Sequence, residues 1–282
     1  TISAQDTFLV TGGARGVTAT CIIELSRRTR ANFVLLGRSH IEDWPAGLAS
    51  DLDERALRGA LAARAKAGGQ KMSPAELNRQ ASRLLAGAEI RQTLSALEAA
   101  GSRVHYAVAD VADASAVKAA IRDAESLFGP ITGLVHGAGV LADKLIREKT
   151  AEQIARVFSP KVLGLQTILS TLDARRLKHI AFFSSVAARY GNTGQSDYAM
   201  ANEILNRVGH GMKAANPGAC VTSLGWGPWD GGMVDDSLRA KFAEMGVSLI
   251  PQQDGANLFA DALLAGPLCP VELIIGSELG HG

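Results

Sequence analysis

Seven short apolar runs recur along the chain, at residues 7–10, 33–36, 104–109, 131–136, 179–184, 220–224 and 271–275, and none of them alternates apolar with polar positions. A strand with one wet face alternates with period two, whereas a run that does not alternate is buried on both faces, as in a parallel sheet. Helical patterns separate the runs: one continues to about Arg30, and others fall near 115–128, 150–172, 196–214 and 253–264. Parallel neighbours cannot be joined by a tight turn and need a crossover, usually a helix. The chain therefore reads as an α/β protein, a doubly wound parallel sheet of about seven strands with helices on both faces. Glycine, 30 of 282 residues, stands above the usual roughly 7% and suits many tight strand-to-helix turns.

One stretch breaks this rhythm. Between Gly37 and Gly101 the chain is far longer than a minimal crossover requires. Ser73-Pro74-Ala75-Glu76 combines an N-cap, a proline at the first helical position and a glutamate at the third. Leu77, Leu84, Leu85, Ile90, Leu94 and Leu97 then recur at near-helical spacing, and Leu52, Leu57 and Leu61 suggest a weaker helix upstream. Residues of about 41–100 are thus expected to form a helical insertion after the second strand, within a single domain spanning 1–282.

Charge and cysteine usage exclude several classes. Lys and Arg number 29 against 28 Asp and Glu, so bulk electrostatics gives no reason to expect a nucleic-acid or membrane partner. Cys21, Cys220 and Cys269 are far apart with no CxxC, which suggests neither a disulfide framework nor a metal site; His105, His179 and His210 carry no metal-ligand spacing either. No apolar run approaches the roughly 18 residues that span a bilayer. The first residues form no signal peptide and lack an initiator Met. The chain reads as a fragment of a longer cytoplasmic protein.

Thr11-Gly12-Gly13-Ala14-Arg15-Gly16-Val17 lies where the first strand hands over to the first helix. Glycines there permit a tight turn and let backbone approach a pyrophosphate, whose charge then faces a helix N-terminus. A dinucleotide site for NAD usually carries an acid at the end of the second strand. Here that place reads Leu36-Gly37-Arg38-Ser39, and a cation suits the 2′-phosphate of NADP(H); the alternative is a solvated surface arginine.

Ser184-Ser185 closes the fifth run, where ligand groups gather in such folds. Tyr198 and Asn202, four apart, share one face of the following helix, and Lys161 lies on the helix before it. Reducing a carbonyl requires a proton donor for the developing alkoxide. A phenol of pKa about 10 needs help from a neighbouring ammonium to work near neutrality. A serine hydroxyl can hold the carbonyl oxygen.

Together with His136-Gly137-Ala138-Gly139, these residues resemble a short-chain dehydrogenase/reductase. Most of that superfamily place the lysine four residues after the tyrosine; here Asn202 stands there and Lys161 is upstream. The exchange resembles the ketoreductase domains of polyketide and fatty-acid megasynthases, as do Phe183-Ser184-Ser185, Gly194-Gln195, Tyr198-Ala199-Met200-Ala201-Asn202 and Trp226-Gly227-Pro228-Trp229. The glycine loop, the stretch Trp226–Val234 and the inserted helices look most like polyunsaturated-fatty-acid synthases. The resemblance implies a Rossmann-type fold and an oxidoreductase using NADPH on a 3-ketoacyl chain tethered to an acyl carrier protein, beside other domains of the same synthase. Tyr198 would donate the proton, Ser185 orient the carbonyl, Lys161 tune Tyr198 and Asn202 complete a water relay. Asp110-Val111 would flank the adenine, Gly137-Ala138-Gly139 the middle of the cofactor, and Pro228-Trp229 the nicotinamide.

Departures from the family pattern carry expectations too. Thr18 replaces the third glycine of the usual loop, questioning how closely the helix packs there. The family's Leu-Asp-Asp motif appears as Leu141-Ala142-Asp143, and Tyr190 rather than tryptophan stands eight residues before Tyr198. These imply an R (D) 3-hydroxyl, with Asp143 and Met233 on the substrate side. Residues of about 230–250 read either as a substrate lid or as an ordinary surface helix. Trp226 and Trp229 read as core aromatics or as a wall beside the nicotinamide. The insertion's arginines read as a solvated face or a carrier-docking surface. Two further readings stay open: a catalytically silent module, and a free-standing reductase of small ketones or acyl-CoA.

Overall fold

Each apolar run forms a strand in the structure, a computed structural model that describes residues 1–232, 234 and 236–276. The strands are β1 (Thr7–Thr11), β2 (Asn32–Gly37), β3 (Val104–Val108), β4 (Gly133–His136), β5 (His179–Ser185), β6 (Cys220–Trp226) and β7 (Glu272–Ile275). The helices are α1 (Gly16–Thr29), α2 (Glu54–Ala67), α3 (Pro74–Ala99), α4 (Ala114–Phe128), α5 (Ala151–Phe158), α6 (Gly164–Thr171), α7 (Val186–Tyr190), α8 (Ser196–Ala215), α9 (Asp236–Glu244) and α10 (Gln252–Leu264).

All strands run parallel in the order β3-β2-β1-β4-β5-β6-β7. Successive residues of one strand enter opposite cores, which is why the runs do not alternate. Phe8, Val10, Phe33, Leu35 and Phe183 pack with Ile22 and Leu25 of α1, Ile90 and Leu97 of α3 and Phe259 and Leu263 of α10. Leu9, Val34, Leu36, Ile180 and Phe182 pack on the other face with Val117 and Ile121 of α4, Leu165 and Ile168 of α6 and Leu205 of α8. Each such side chain taken wholly out of water contributes roughly 1.5–3 kcal/mol.

Helix caps follow local chemistry. Ser73 and Glu76 close a reciprocal capping box at the start of α3, with Pro74 at its first position, and Thr150 and Gln153 do the same for α5. Asp53 caps α2. α2 and the first half of α3 share a small satellite core of Leu57, Leu61, Ala81 and Leu84. The second half of α3 belongs to the main core, so one unbroken helix serves both.

The single helix expected over 150–172 is divided. A π turn at Ser159–Leu163 lies between α5 and α6. Pro160 has no N–H to give an intrahelical bond, and an extra residue in the turn re-aims the side chains it carries. Lys161 is one of them. No helix among the described residues is long and apolar enough to cross a membrane.

Candidate active site

The strand order reverses between β1 and β4, and ligands in open parallel sheets bind beyond the carboxyl ends of the strands at that point. Thr11 lies beside His136 in register, so the glycine turn after β1 and the Gly137 turn after β4 meet there. Gly12 has φ +66°, and a Cβ on it would stand 2.8 Å from the backbone of Gly137 and Ala138. Gly16, φ +63°, opens α1 with nothing among the described residues within 4 Å of where its Cβ would be. Backbone N–H groups at the start of a 14-residue helix, beside open space that glycine keeps clear, suit a pyrophosphate. Thr18 is buried, and a Cβ on Gly137 would come 2.6 Å from its Oγ1. The bulk that the loop gains at Thr18 is given up at Gly137, so the helix still packs closely.

Further out, Arg38 follows β2 and is exposed. The Tyr106 hydroxyl donates to the Ser39 carbonyl at 2.7 Å, fixing the chain just beyond. Arg15 meets Glu89 of α3 at 3.4 Å. Asp110 accepts from the Ala112 N–H, and Val111 is buried, its side chain 2.7 Å from where a Cβ on Gly164 would be.

The four candidate catalytic residues come from three consecutive parts of the chain. Ser185 is the last residue of β5; Tyr198 and Asn202 lie in the first turns of α8; Lys161 sits in the π turn. Lys161 Nζ is 5.6 Å from the centroid of the Tyr198 ring and donates to the Phe183 carbonyl at 2.8 Å. Gly139 is needed beside it, because a Cβ there would stand 2.8 Å from Lys161 Cε. Burial lowers the Lys161 ammonium to about 7. Burial is also the largest influence on the Tyr198 phenol and raises it, with the Asn202 and Ser185 side chains acting downward and Asp143 upward. The expected lowering of Tyr198 by Lys161 is thus not what governs the phenol here; enclosure is. Asn202 Nδ2 donates to the Tyr198 carbonyl at 2.8 Å, while its buried Oδ1 has no protein partner among the described residues.

His136 has a larger part than its position beside the glycine turn suggested. Its ring is fully buried, with Nδ1 2.8 Å from Thr11 Oγ1 and Nε2 2.9 Å from the Lys161 carbonyl. A carbonyl only accepts, so Nε2 carries the proton and Nδ1 accepts from the Thr11 hydroxyl. Thr11 Oγ1 in turn accepts from the Ala138 N–H at 3.2 Å. Burial and then the Lys161 charge hold His136 down to about 4, and it stays neutral. The glycine-loop strand, the β4 turn and the π turn are joined by this one ring.

Other expected residues lie around this centre. Asp143 accepts from Gln195 Nε2 at 2.8 Å. Met233 lies outside the described residues. Trp226 and Trp229 are 6% and 5% exposed, with ring centroids 4.8 Å apart, and the Trp229 ring lies against Gly255 of α10. Their place is the core, since the glycine at 255 admits the ring between β6 and α10. Pro228 binds back through its carbonyl to Ile250. The chain beyond passes over the glycine loop: a Cβ on Gly232 would stand 3.1 Å from Val17. α9, which follows, has no buried residue. Lys149 and Asp197 form a buried ion pair at 2.8 Å that carries no signal in the sequence; they are 48 positions apart and no periodicity links them. Among the described residues no cluster of His, Cys, Asp or Glu could hold a metal ion.

A family model described as "KR domain" matches residues 6–231. The chain belongs to the ketoreductase (KR) domain family. It is 40% identical over 284 residues to a polyunsaturated fatty acid synthase of Thraustochytrium sp., covering 98% of this chain and 10% of that protein. Polyketide synthase PksL of Bacillus subtilis is 31% identical over 176 residues, 60% of this chain and 4% of that protein. The KR domain thus spans about a tenth or less of these relatives, which are large synthases. Among solved structures, a ketoreductase domain from the bacillaene assembly line matches with a TM-score of 0.71 at 25% identity, covering 96% of this chain and 55% of that one. A short-chain dehydrogenase/reductase from Serratia marcescens shares the fold, with a TM-score of 0.69 at 21% identity over 98% of both chains. The sheet is the Rossmann-like sheet of that superfamily. A ketoreductase domain of this fold is an oxidoreductase that works with a nicotinamide cofactor, and the donor-bearing start of α1 beside Gly16 suits the phosphates of such a group.

Proposed function

We propose that this KR domain reduces a 3-ketoacyl thioester, carried on the phosphopantetheine arm of an acyl carrier protein, to the R 3-hydroxyacyl thioester with NADPH. Its setting would be a cytoplasmic polyunsaturated-fatty-acid or polyketide synthase, among the other domains of that synthase. The observation that carries the reading is the meeting of Ser185, Tyr198, Lys161 and Asn202 beside the glycine cradle at the switch between β1 and β4. The similarity to a polyunsaturated fatty acid synthase over nearly the whole chain supports the substrate class.

Thr11 to Val17 and Gly137 to Gly139 would hold the diphosphate and central part of the cofactor, Asp110 and Val111 would flank the adenine, and Arg38 and Ser39 would receive the 2′-phosphate, with Arg15 exchanging Glu89 for it. The bound nicotinamide supplies the hydride to the ketone carbon. Ser185 Oγ donates to the ketone oxygen, and the Tyr198 phenol transfers its proton to that oxygen as negative charge develops. A phenol raised by burial is fully protonated at neutral pH, so the donor is loaded before the substrate arrives. Lys161 and Asn202 lie behind it on the side from which the proton is restored, the free Asn202 Oδ1 suiting a water molecule. Asp143 stands on the substrate side, and the segment 230–250, with α9, acts as a lid that carries Met233.

The test is NADPH oxidation by the domain with a 3-ketoacyl thioester and with a simple cyclic ketone, comparing wild type with Tyr198→Phe and NADPH with NADH. Turnover in wild type and a loss of about 10²–10⁴ in Tyr198→Phe are expected. A wild type inert to every ketone would identify a silent module, and full activity in Tyr198→Phe would overturn the proton-donor assignment. An S product would overturn the stereochemical one.

A further inference from the structure

The interior holds a second buried lysine, this one paired with a carboxylate, that the chemistry above leaves unused. Lys149 Nζ lies 2.8 Å from Asp197 Oδ1, and the two side chains are 1% and 2% exposed. The same Nζ donates to the Ala142 carbonyl at 2.8 Å. The same Oδ1 accepts from the Tyr198 N–H at 2.9 Å. One ammonium and one carboxylate oxygen therefore link the backbone just before Asp143 to the backbone of Tyr198 itself.

An ion pair taken wholly out of water gains little over well-packed apolar residues, because desolvation offsets the Coulomb attraction. This one is not even completed as a network: Asp197 Oδ2 is buried with no hydrogen-bond partner among the described residues. Stability does not account for it, but its location does. Two other ties hold the same segment to the loop before α8, Lys144 N–H to the Gly194 carbonyl at 3.0 Å and Gln195 to Asp143 at 2.8 Å. The Gln195–Asp143 tie is exposed and open to exchange with water, whereas the ion pair is not. Segment 141–143 also lies close enough to the phenol for the Asp143 charge to act on it.

We propose that the Lys149–Asp197 pair is a positioning device for the reduction: it sets where segment 141–143 stands relative to Tyr198, and so which face of the ketone is presented. Neither residue touches the reacting atoms. They fix the spacing between the proton donor and the wall opposite, and a shift of about an ångström in such spacing changes rates by as much as 10²-fold. The pair also makes that spacing less sensitive to salt than the exposed Gln195–Asp143 tie, because buried charges are screened much less.

The inference rests on ketoreduction as proposed above, and its test is built to separate the two. Lys149→Met/Asp197→Leu replaces both charges with apolar groups and leaves no buried ion alone; Asp197→Glu keeps the charge but lengthens the link by one methylene. Hydrogen–deuterium exchange over residues 139–146, which needs no turnover, is measured beside KM, kcat, the enantiomeric ratio of the alcohol and the Kd of the cofactor. The double variant is expected to exchange about tenfold faster over 139–146. It is also expected to lose about tenfold in enantiomeric ratio or KM, with cofactor Kd unchanged. Asp197→Glu is expected to shift the ratio in the same direction by less. Wild-type exchange and wild-type enantiomeric ratio in both variants would overturn the proposal. A wild type that reduces no ketone would overturn the functional reading alone, the exchange data still deciding whether the pair holds the segment.

Discussion

Lys161 is enclosed on all sides at 3% exposure, and what its ammonium meets at 2.8 Å is the Phe183 carbonyl, not a carboxylate. Desolvation takes it from 10.5 to about 7. An unfolded chain keeps this lysine protonated up to pH 10.5, whereas the folded chain releases the proton near 7. Folding therefore carries a cost that is complete below pH 7 and is relieved as pH rises from 7 toward 10.5. At about 1.4 kcal/mol per pH unit, that cost is roughly 4 to 5 kcal/mol at neutral pH and falls by roughly 2 kcal/mol between pH 7 and 9. Lys161→Met abolishes it and forfeits one charged hydrogen bond of about 1.5–3 kcal/mol. The variant is expected to be the more stable protein at pH 7, by about 1–3 kcal/mol, and to lose most of that advantage at pH 9. Urea denaturation of the cofactor-free domain at both pH values, wild type beside Lys161→Met, measures the difference, in which every other titrating group cancels. A stability difference that is the same at pH 7 and pH 9 would refute the reasoning, whatever its sign. The same variant should lose nearly all ketone reduction, so the residue that serves the chemistry is one the fold would do better without.

Three further outcomes follow from the geometry. His136 is held neutral down to about 4 against an ordinary 6.5, so stability is expected to fall as pH drops from 6.5 to 4, by up to roughly 3 kcal/mol. His136→Gln should show a flatter acid limb in denaturation scans, and an equally steep one would exclude His136 as the source. Gly137→Ala meets the Thr18 side chain at 2.6 Å and should cost about 1–3 kcal/mol, part of it recovered in Gly137→Ala/Thr18→Ala; strict additivity in a double-mutant cycle would contradict the packing described. Arg38→Asp should lower kcat/KM with NADPH relative to NADH by about 10–100-fold, the worth of one charge-assisted contact to a phosphate, and an unchanged ratio would place the 2′-phosphate elsewhere.

The seven strands and their parallel pairing were legible because burial on both faces removes alternation, and Phe8/Val10 against Leu9 shows the two cores that cause it. The helix start at Ser73 was legible because a capping box is a local pattern. What escaped depends on distant partners. Nothing near Pro160 tells whether a helix carries on through it or takes up a π turn. Gly139 reads as one more cofactor glycine until the stem of Lys161 is seen beside it. That Trp229 packs into the core depends on Gly255, a residue on another helix. Lys149 and Asp197 look like ordinary surface charges, and only the fold makes them an interior pair.

α3 runs 26 residues without a break, its far half in the satellite core and its near half in the main one. Lengthening the chain between two fixed ends is entropically mild, about 0.6 kcal/mol for each doubling, and here the added length brings its own apolar contacts. The crossover could therefore grow outward from a helix already anchored, with no change to strand order or register. Arg83 and Arg91 on that helix hold Glu42, in the same loop that follows Arg38. Through these bonds one unbroken helix ties the satellite core to the loop that carries Arg38.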